Sequence, residues 1–244
     1  KFVLVKNGKC IKEYRKPDEQ AFEDALESFG YAGVKRIAIT GVGSSFIKGD
    51  IHGIPTKRKD EFSSVSRGAL NLSKKHNCLV VSVGTGTSFT RVTPFRTRHV
   101  GGTGLGGGPL MGLSGKICGT DDMEELQRLA ALGDLHEIDL QLMDVCEGTI
   151  SNLKPNTTVA NMSKLGANSR PEDLAAGLCN LIFQAVGVMA SLAVKRHLTR
   201  TIVLVGTITD WPIAKRSLDE VAALHKVKFI IPEHAAFATA IGAA

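Results

Sequence analysis

The glycine cluster Gly101–Gly108, with six glycines in eight residues, is the feature that most restricts how this chain can fold. A glycine inside a regular element costs roughly 0.5–1 kcal/mol relative to alanine, so a run this dense needs a reason. The residues that follow, Leu110–Cys118, have the pattern of a helix. A glycine loop ahead of a helix N-terminus gathers N–H donors at the positive end of the helix dipole. The cluster therefore predicts a phosphate-binding loop, with a flexible linker as the alternative.

A second glycine turn, Gly84–Ser88, stands between two strand-like segments, Leu79–Val83 and Phe89–Val92. Its glycines can adopt positive φ and allow a ligand to approach the main chain, while Thr85 and Ser88 add hydroxyl groups. Successive free N–H groups in such a turn form an anion-binding concavity. The segment therefore predicts a strand, an anion-binding turn and a second strand, with a plain β-hairpin as the alternative.

Neither glycine turn matches the two common nucleotide-binding motifs. The sequence contains no GxxxxGK[ST], the pattern of a Walker A loop. The cluster Gly101–Gly108 follows no obvious buried strand and has no ribose-binding acid about 20 residues downstream, so it matches the Rossmann fingerprint poorly. A third turn, Gly206-Thr207, closes the apolar segment Thr201–Val205 ahead of a helix. Alone, this third turn is a weak signal.

Alternating strand and helix signals predict an α/β chain with a mixed sheet. An N-terminal pair of strands, Phe2–Val5 and Cys10–Tyr14, flanks the turn signal Asn7-Gly8. Residues 148–171 are rich in Asn, Pro, Ser and Thr and predict a long, mostly irregular crossing. The other predicted elements are a helix that begins at Pro17-Asp18 and ends at Gly30, helices over Ser63–His76, Asp121–Leu132, Glu172–His197, Trp211–Leu224 and His234–Ala244, and strands over Ile37–Thr40 and Val227–Ile230.

Composition argues against several classes of protein. The net charge is +6 and the aromatic content is only 5%, which disfavours a base-stacking surface for nucleic acid. No apolar run approaches the ~20 residues that span a bilayer, so no membrane segment is predicted. The five cysteines include no CxxC pair and predict reduced thiols in a cytoplasmic protein. The first residue is Lys1 rather than Met, and we expect the natural protein to start earlier.

Several segments together carry a family likeness. The most specific is the stretch His99–Gly108, and Ala160-Asn161 and Gly206-Thr207 give weaker support. The supporting segments are Asp60-Glu61-Phe62 ahead of a helix, Ser82–Ser88, Glu233–Phe237 and Ala240–Ala243. In this order, and over nearly the whole chain, they resemble the type II pantothenate kinases of the acetate kinase/hexokinase/Hsp70/actin-like superfamily.

The resemblance implies a fold, an activity and a partner. The implied fold is α/β, a two-lobed actin-like/ribonuclease H-like ATPase fold with mixed sheets and flanking helices. Its N-terminal lobe, residues 1–95, would carry acceptor-side residues, and its C-terminal lobe, 96–244, the ATP phosphate loop and adenosine pocket. The implied reaction uses ATP and Mg²⁺ to convert pantothenate to 4'-phosphopantothenate, the first step of coenzyme A biosynthesis. A homodimer is expected through the helix Glu172–His197, with a purely internal helix as the alternative.

The resemblance also assigns roles to residues of this chain. Glu61 matches the catalytic base, which accepts the proton of the pantothenate hydroxyl as that group attacks the γ-phosphoryl group. Thr85 and Ser88 match substrate-binding positions, and no metal-ligating residue is assigned. The positions that match nucleotide-binding ones are Lys1, Thr103, Gly104, Gly106, Gly107, Gly108, Gly206 and Thr207.

Two positions depart from the family pattern. The family begins with an Asp-x-Gly-Gly-Thr phosphate turn just ahead of a lysine, and we expect this turn immediately upstream of Lys1. An arginine that contacts substrate in many members is replaced by His99, with Arg98 beside it, and both are predicted to bind substrate. The strand register decides which of them does, because a one-residue shift turns a side chain to the other face. A nucleotide-binding regulatory or sensor protein and a kinase for another small hydroxylated acid or sugar remain alternatives.

Overall fold

The computed structural model describes residues 1–7, 9–15, 20–30, 33–147, 153–196 and 199–244. Four predicted features lie wholly or partly outside these residues. They are the turn at Asn7-Gly8, the helix start at Pro17-Asp18, the first part of the crossing 148–171 and the helix end at His197.

The N-terminal part of the chain forms two small sheets and two α-helices. Its elements in chain order are the strands β1 (Phe2–Lys6) and β2 (Lys9–Tyr14), the helix α1 (Ala21–Phe29), the strands β3 (Ile37–Ile39) and β4 (Thr56–Arg58), and the helix α2 (Glu61–Ser73). β1 and β2 form an antiparallel hairpin, whereas β3 and β4 are parallel. Asp60 caps α2, since its carboxylate accepts the backbone N–H of Ser63 at 2.8 Å. This cap fixes Glu61 as the first residue of the helix.

A five-stranded mixed sheet dominates the rest of the chain. The elements are β5 (Cys78–Val83), β6 (Thr87–Val92), β7 (Thr97–Thr103), α3 (Gly107–Ile117), α4 (Met123–Leu132), β8 (Leu140–Gln141), α5 (Leu142–Val145), β9 (Thr158–Ala160), α6 (Pro171–Lys195), β10 (Thr201–Gly206), α7 (Pro212–His225), β11 (Lys228–Ile230) and α8 (Ala238–Ala243). The strand order is β11-β10-β5-β6-β7. β5, β6 and β7 form an antiparallel meander, and β10 and β11 add parallel to β5.

The large sheet is covered by helices on both faces, so its central strands are apolar on both sides. On one face, Leu79 and Val81 pack in a core with residues of α3, α4, α6 and α7. On the other face, Val80 and Val203 pack in a smaller core with residues of α2 and α8. The period-two alternation of β5 therefore assigns each residue of the sheet to the α6 face or to the α2 face.

The helix α6 is long and apolar enough to cross a membrane by length and composition, although no membrane segment was predicted from the sequence. Of its most apolar 18-residue window, 61% is buried inside the protein. Ile182, Phe183 and Val186 are fully buried against the core, whereas Leu192 is 53% exposed. This burial is the pattern of a central core helix, which passes the same test of length and hydropathy.

The sequence predicts the glycine cluster as a single loop, but the structure divides it between a strand and a helix. Its first part belongs to β7, which extends to Thr103, and the helix α3 begins at Gly107 rather than at Leu110. A Cβ atom on Gly102 would lie 2.9 Å from the carbonyl oxygen of Thr87, so glycine allows β6 and β7 to pair closely at this point. A strand does precede the cluster, but none of its residues is buried, which agrees with the prediction that no buried strand stands there.

Two further observations concern the predicted organisation of the chain. The predicted lobe boundary at 95/96 falls between β6 and β7, which are adjacent strands of one sheet. The large sheet therefore crosses this boundary, and the break between sheets lies between β4 and β5. The described part of the predicted irregular crossing contains the short strand β9, which pairs with β8.

All five cysteines are free, as the sequence predicts. Cys78, Cys118 and Cys179 are buried. Burial raises the pKa of the Cys78 and Cys118 thiols to about 11 and that of the Cys179 thiol to about 12. These three residues are therefore protonated packing residues at neutral pH.

The helices α2 and α8 cross with their backbones in direct contact. A Cβ atom on Gly68 of α2 would lie 1.8 Å from the carbonyl oxygen of Ala238, and one on Gly242 of α8 would lie 1.8 Å from that of Ser64. Neither backbone oxygen can move aside as a flexible side chain could. The two glycines thus fix how α2, which carries Glu61, sits on the sheet.

We expect Gly68→Ala to lower the free energy of unfolding by about 1–3 kcal/mol, because the added methyl group separates two helices that pack through their backbones. Urea denaturation followed by circular dichroism measures this change. The matched control is Gly112→Ala, also within a helix, where a Cβ meets nothing within 4 Å. That variant should gain about 0.5–1 kcal/mol from helix propensity. Similar effects of the two substitutions would contradict the packing argument.

Candidate active site

The carboxyl ends of β5 and β10 meet at one edge of the sheet because these strands are parallel neighbours, with Val83 opposite Gly206. Ligands of open α/β sheets bind outside the carboxyl ends of the strands. The turn Gly84–Ser88 follows β5, and the turn Gly206-Thr207 follows β10. Gly206 has φ of 133°, and a Cβ atom there would lie 2.0 Å from the carbonyl oxygen of Val83. The structure thus brings two predicted glycine turns side by side, and the contact requires glycine.

The glycine cluster packs directly on the first of these turns. The Gly107 N–H donates to the carbonyl oxygen of Gly84, and the Gly108 N–H donates to that of Thr85, both at 2.8 Å. The hydroxyl of Thr87 donates to the carbonyl oxygen of Leu105 at 2.7 Å. These three bonds hold the start of α3 against the β5–β6 hairpin, so all three predicted glycine turns lie at one edge.

Close backbone contact explains why this edge is built from glycine. A Cβ atom on Gly106 would lie 2.8 Å from the carbonyl oxygens of both Gly84 and Thr85. On Gly108 it would lie 2.9 Å from two atoms of Thr85. Such distances essentially never occur for real Cβ atoms. The two turns can therefore touch only because these positions carry no side chain.

The same contact changes which backbone groups are free for an anion. The N–H groups of Gly107 and Gly108 are used by the hairpin, and the next residue, Pro109, has no N–H. The predicted cradle at the first turn of α3 is therefore already occupied by protein carbonyl groups. Among the described residues, the exposed N–H groups of Thr85 and Gly104 have no acceptor. These donors remain available at the edge, together with the dipole of α3.

Lys1 lies near the carboxyl end of the strand β10. Desolvation lowers the pKa of its side-chain ammonium group to about 8, although the residue as a whole is exposed. The charge of Arg15 lowers this pKa further, whereas the carboxylate of Asp210 raises it. Asp210 is exposed and closely follows the turn Gly206-Thr207. The structure therefore places a cation, still charged at neutral pH, beside that turn.

Three predicted residues of the acceptor side, His99, Ser88 and Glu61, lie on the α2 face of the sheet. Val80, Thr90 and His99 are opposite one another on β5, β6 and β7, so their side chains point to the same face. Val80 packs in the core with α2, which assigns this face. Ser88 lies two residues before Thr90 on β6 and shares its orientation. Glu61 begins the helix that covers the same face.

Arg98 points to the other face. It is opposite Arg91, which is opposite Leu79, and Leu79 packs in the core beneath α6. The structure therefore places these two neighbouring residues on opposite faces of the sheet, a choice that the sequence left open. His99 lies on the side of Glu61 and Ser88, and Arg98 does not.

The carboxylate of Glu61 is exposed and accepts no hydrogen bond from the described residues. Its neighbour Asp60 differs, because hydrogen bonds from Ser63 hold the pKa of the Asp60 carboxyl below its usual value. Asp60 is therefore committed to capping α2. Glu61 remains free to bind a ligand or accept a proton.

Phe62 is a residue of this face to which sequence reasoning gave no role. Its ring contacts the imidazole of His99, with ring centroids 4.6 Å apart and planes inclined by 41°. The signal was present in the sequence as an aromatic residue beside the predicted base. Only the register of β7 reveals its partner.

An open groove near the N-terminal hairpin is separate from this edge. It has a volume of about 620 Å³ and lies between β2, the end of α2 and α8, and no predicted site residue lines it. Within the described residues, no group of three His, Cys, Asp or Glu side chains is arranged to hold a metal ion.

Comparison with known proteins links these features to a family. The model of the family named Fumble matches residues 59–244, which include Glu61 and all three glycine turns. A protein named type II pantothenate kinase from Staphylococcus aureus (strain USA300) is 26% identical over 255 residues, covering 97% of this chain and 95% of that protein. The protein of the same name from strain MRSA252 matches equally.

Solved structures of several distant proteins have the same fold. Component A of the (R)-2-hydroxyglutaryl-CoA dehydratase of Acidaminococcus fermentans aligns with a TM-score of 0.66 at 14% identity, covering 99% of this chain and 90% of that one. The activator of the Clostridium difficile 2-hydroxyisocaproyl-CoA dehydratase, with bound ADPNP, aligns at 0.64 and 19%, covering 99% and 87%. A Thermus thermophilus ROK hexokinase aligns at 0.53 and 16%, covering 97% and 88%. These alignments confirm the predicted α/β, actin-like ATPase fold.

We expect Gly106→Ala to push α3 away from the hairpin and to lower the free energy of unfolding by about 1–3 kcal/mol. Amide hydrogen exchange followed by NMR should show faster exchange of the Gly107 and Gly108 N–H groups, because their bonds to the hairpin carbonyls lengthen. The control is Gly115→Ala in the same helix, where the nearest atom to a Cβ is Asp121 Cβ at 3.8 Å. Unchanged exchange in Gly106→Ala would show that the turns do not depend on this contact.

Proposed function

Because the chain belongs to the Fumble family, we propose that it is a kinase that transfers the γ-phosphoryl group of ATP to pantothenate and forms 4'-phosphopantothenate. The observation that carries this proposal is the position of Glu61. Its free carboxylate starts the helix that covers the α2 face, and Ser88 connects this face to the glycine edge. An acceptor hydroxyl held between them can reach a phosphate held at the edge.

In the proposed reaction, Glu61 accepts the proton of the pantothenate primary hydroxyl. The hydroxyl oxygen forms a bond to the γ-phosphorus, the bond from that phosphorus to the β–γ bridging oxygen breaks, and ADP leaves with the electron pair. Catalysis of this kind depends mainly on positioning and on stabilising charge. Ser88, near the start of β6, and Thr85, within the hairpin turn, would hold the acceptor.

The nucleotide is assigned to the glycine edge. The backbone N–H groups of Thr85 and Gly104 and the α3 dipole would bind phosphate oxygens, and Lys1 would offset their charge. Thr103, Gly106, Gly107 and Gly108 shape this side of the edge through the contacts described above, and Gly206-Thr207 forms the wall towards the nucleoside. Each of these assignments extends the sequence prediction by the geometry of the edge.

Mg²⁺ is expected to be held mainly by the nucleotide phosphates, as this ion usually is in kinases. The described residues fit such an ion, because they offer single exposed carboxylates rather than a cage of three ligands. Asp210 is the carboxylate at this edge that would share it. When bound, the ion neutralises charge on the β- and γ-phosphates.

The central test is Glu61→Gln, which keeps the size of the side chain but removes its basicity. Turnover of ATP with pantothenate should fall by about 10²–10⁴-fold, measured as ADP release, because the general base is lost. ATP affinity, measured by calorimetry, should change little. The matched control is Glu124→Gln, an exposed glutamate in the first turn of α4, which should retain full activity.

Other outcomes would favour the alternative functions. ADP release with a different small hydroxylated acid or sugar, and none with pantothenate, would indicate another acceptor. ATP binding without turnover on any acceptor would indicate a regulatory or sensor protein. Full activity of Glu61→Gln would remove Glu61 as the base.

A homodimer through α6 is the proposed assembly. Leu181, Val188 and Leu192 of this helix recur at spacings of seven and four residues and keep part of their surface exposed. Residues at such spacings form one stripe along a helix. The buried residues of α6 face the core, so this stripe is the surface that a second copy would cover.

We expect Leu192→Glu to shift the protein from dimer to monomer, because a carboxylate within an apolar contact loses its hydration. Light scattering coupled to size-exclusion chromatography measures the mass. The control is Leu224→Glu at the end of α7, since Leu224 is 50% exposed and lies outside the stripe. An unchanged dimer in Leu192→Glu, or a monomeric wild type, would argue against this contact.

A further inference from the structure

We propose that His99 is a positioning residue, which holds the first turn of α2, and with it Glu61, against the edge strand β7 through the ring of Phe62. This inference rests on the proposed function and deepens it, because it assigns His99 to the orientation of the base and not to recognition of the acceptor's charge. The contact between the two rings, with centroids 4.6 Å apart, is the observation that carries it.

The first three residues of α2 have little other packing among the described residues. Glu61, Phe62 and Ser63 are all exposed, and the buried residues of the helix begin at Ser64. The cap by Asp60 fixes the backbone of the turn but does not attach it to the large sheet. Phe62 is 42% exposed, and its ring meets the imidazole of His99. This ring contact therefore ties the base-bearing turn to the sheet that carries the glycine edge.

A β-bulge in the strand β7 allows His99 to make this contact. The pairing of β6 with β7 shifts between Phe89 and Thr90, because Val100 is an extra residue on β7. Without this bulge, His99 would be opposite Arg91 and would point to the α6 face. With it, His99 is opposite Thr90 and points to α2, while Val100 packs against the α6 core. Bulges next to active sites commonly redirect a side chain in this way.

The chain segment on the other side of Glu61 is attached to a different sheet. The Lys59 N–H donates to the carbonyl oxygen of Ile39 at 2.8 Å, and the Arg58 guanidinium donates to the hydroxyl of Ser44 at 3.1 Å. Glu61 thus lies where the β3–β4 sheet meets the large sheet. The Phe62–His99 contact sets the position of Glu61 relative to the large sheet.

An aromatic contact and a charge contact predict different kinetics. If His99 positions Glu61, His99→Ala should lower kcat about tenfold or more, with the KM for pantothenate within about twofold of wild type, because the base is displaced and the acceptor site is intact. His99→Phe should restore most of kcat, since it keeps an aromatic ring. Phe62→Ala should reproduce the loss, and the double variant Phe62→Ala/His99→Ala should lose little more.

Three controls accompany these variants. Thr97→Ala alters an exposed residue two positions before His99 on the same strand and should behave as wild type. The dependence of kcat/KM on pH should have the same shape in wild type and His99→Phe over about pH 5–8, because the imidazole charge is not used. Glu61→Gln, measured in parallel, reports on the proposed base itself.

A second measurement does not require turnover. The Ser63 and Ser64 N–H groups bond to Asp60 within the first turn of α2, at 2.8 Å and 3.0 Å. Their hydrogen exchange should be severalfold faster in His99→Ala than in wild type, and His99→Phe should return it towards the wild-type rate. Thr97→Ala should leave it unchanged.

The inference is overturned if His99→Ala raises the KM for pantothenate while kcat is kept, or if exchange at Ser63 and Ser64 does not respond to His99→Ala. It is also overturned if His99→Phe is as impaired as His99→Ala while Phe62→Ala is not. These outcomes leave the proposed function standing as long as the wild type releases ADP with pantothenate and Glu61→Gln lowers this turnover by about 10²–10⁴-fold. Loss of the proposed function would instead appear as no ADP release with pantothenate in the wild type, whatever the exchange data give.

Discussion

The docking of the start of α3 on the β5–β6 hairpin is the contact on which the geometry of this edge depends. Two backbone hydrogen bonds, from Gly107 to Gly84 and from Gly108 to Thr85, join segments that are more than 20 residues apart in sequence. The contact excludes side chains at Gly106 and Gly108, because a Cβ atom at either position would meet a carbonyl oxygen of the hairpin. Rigid backbone on both sides gives an edge whose remaining donors are fixed in direction before any ligand arrives, which lowers the entropic cost of binding.

This docking also sets a limit on how the edge can bind phosphate. The N–H groups at the first turn of α3 already donate to protein carbonyl groups. Phosphate binding at this edge would therefore rely on the remaining turn N–H groups, on the helix dipole and on a nearby cation. Lys1 suits that role, because its pKa of about 8 leaves it charged at neutral pH and partial desolvation strengthens its attraction for an anion. The glycine cluster thus acts first of all in packing the start of α3 on the hairpin.

The sequence predicts the helices and strands of this fold better than the contacts between them. Strand β5, the hairpin turn and the helices follow from periodicity and from turn residues, and the family resemblance supplied the actin-like fold. The cluster's dual use as strand and helix start was missed, because the acceptors of Gly107 and Gly108 lie on a distant turn. The faces of Arg98 and His99 were also beyond the sequence, since one extra residue at Val100 decides both. The role of Phe62 depends on the same bulge.

The two faces of the sheet have different roles. The α6 face holds the larger core, with a 25-residue helix at its centre. The α2 face holds a smaller core of small residues and bears the proposed base, Ser88 and His99. Its helix is held at its middle by the glycine crossing with α8 and, among the described residues, at its first residues by the Phe62–His99 ring contact. A helix fixed tightly at its middle and lightly at its first turn can keep the fold stable while its terminal residue adjusts to a substrate, because local stability varies along one element.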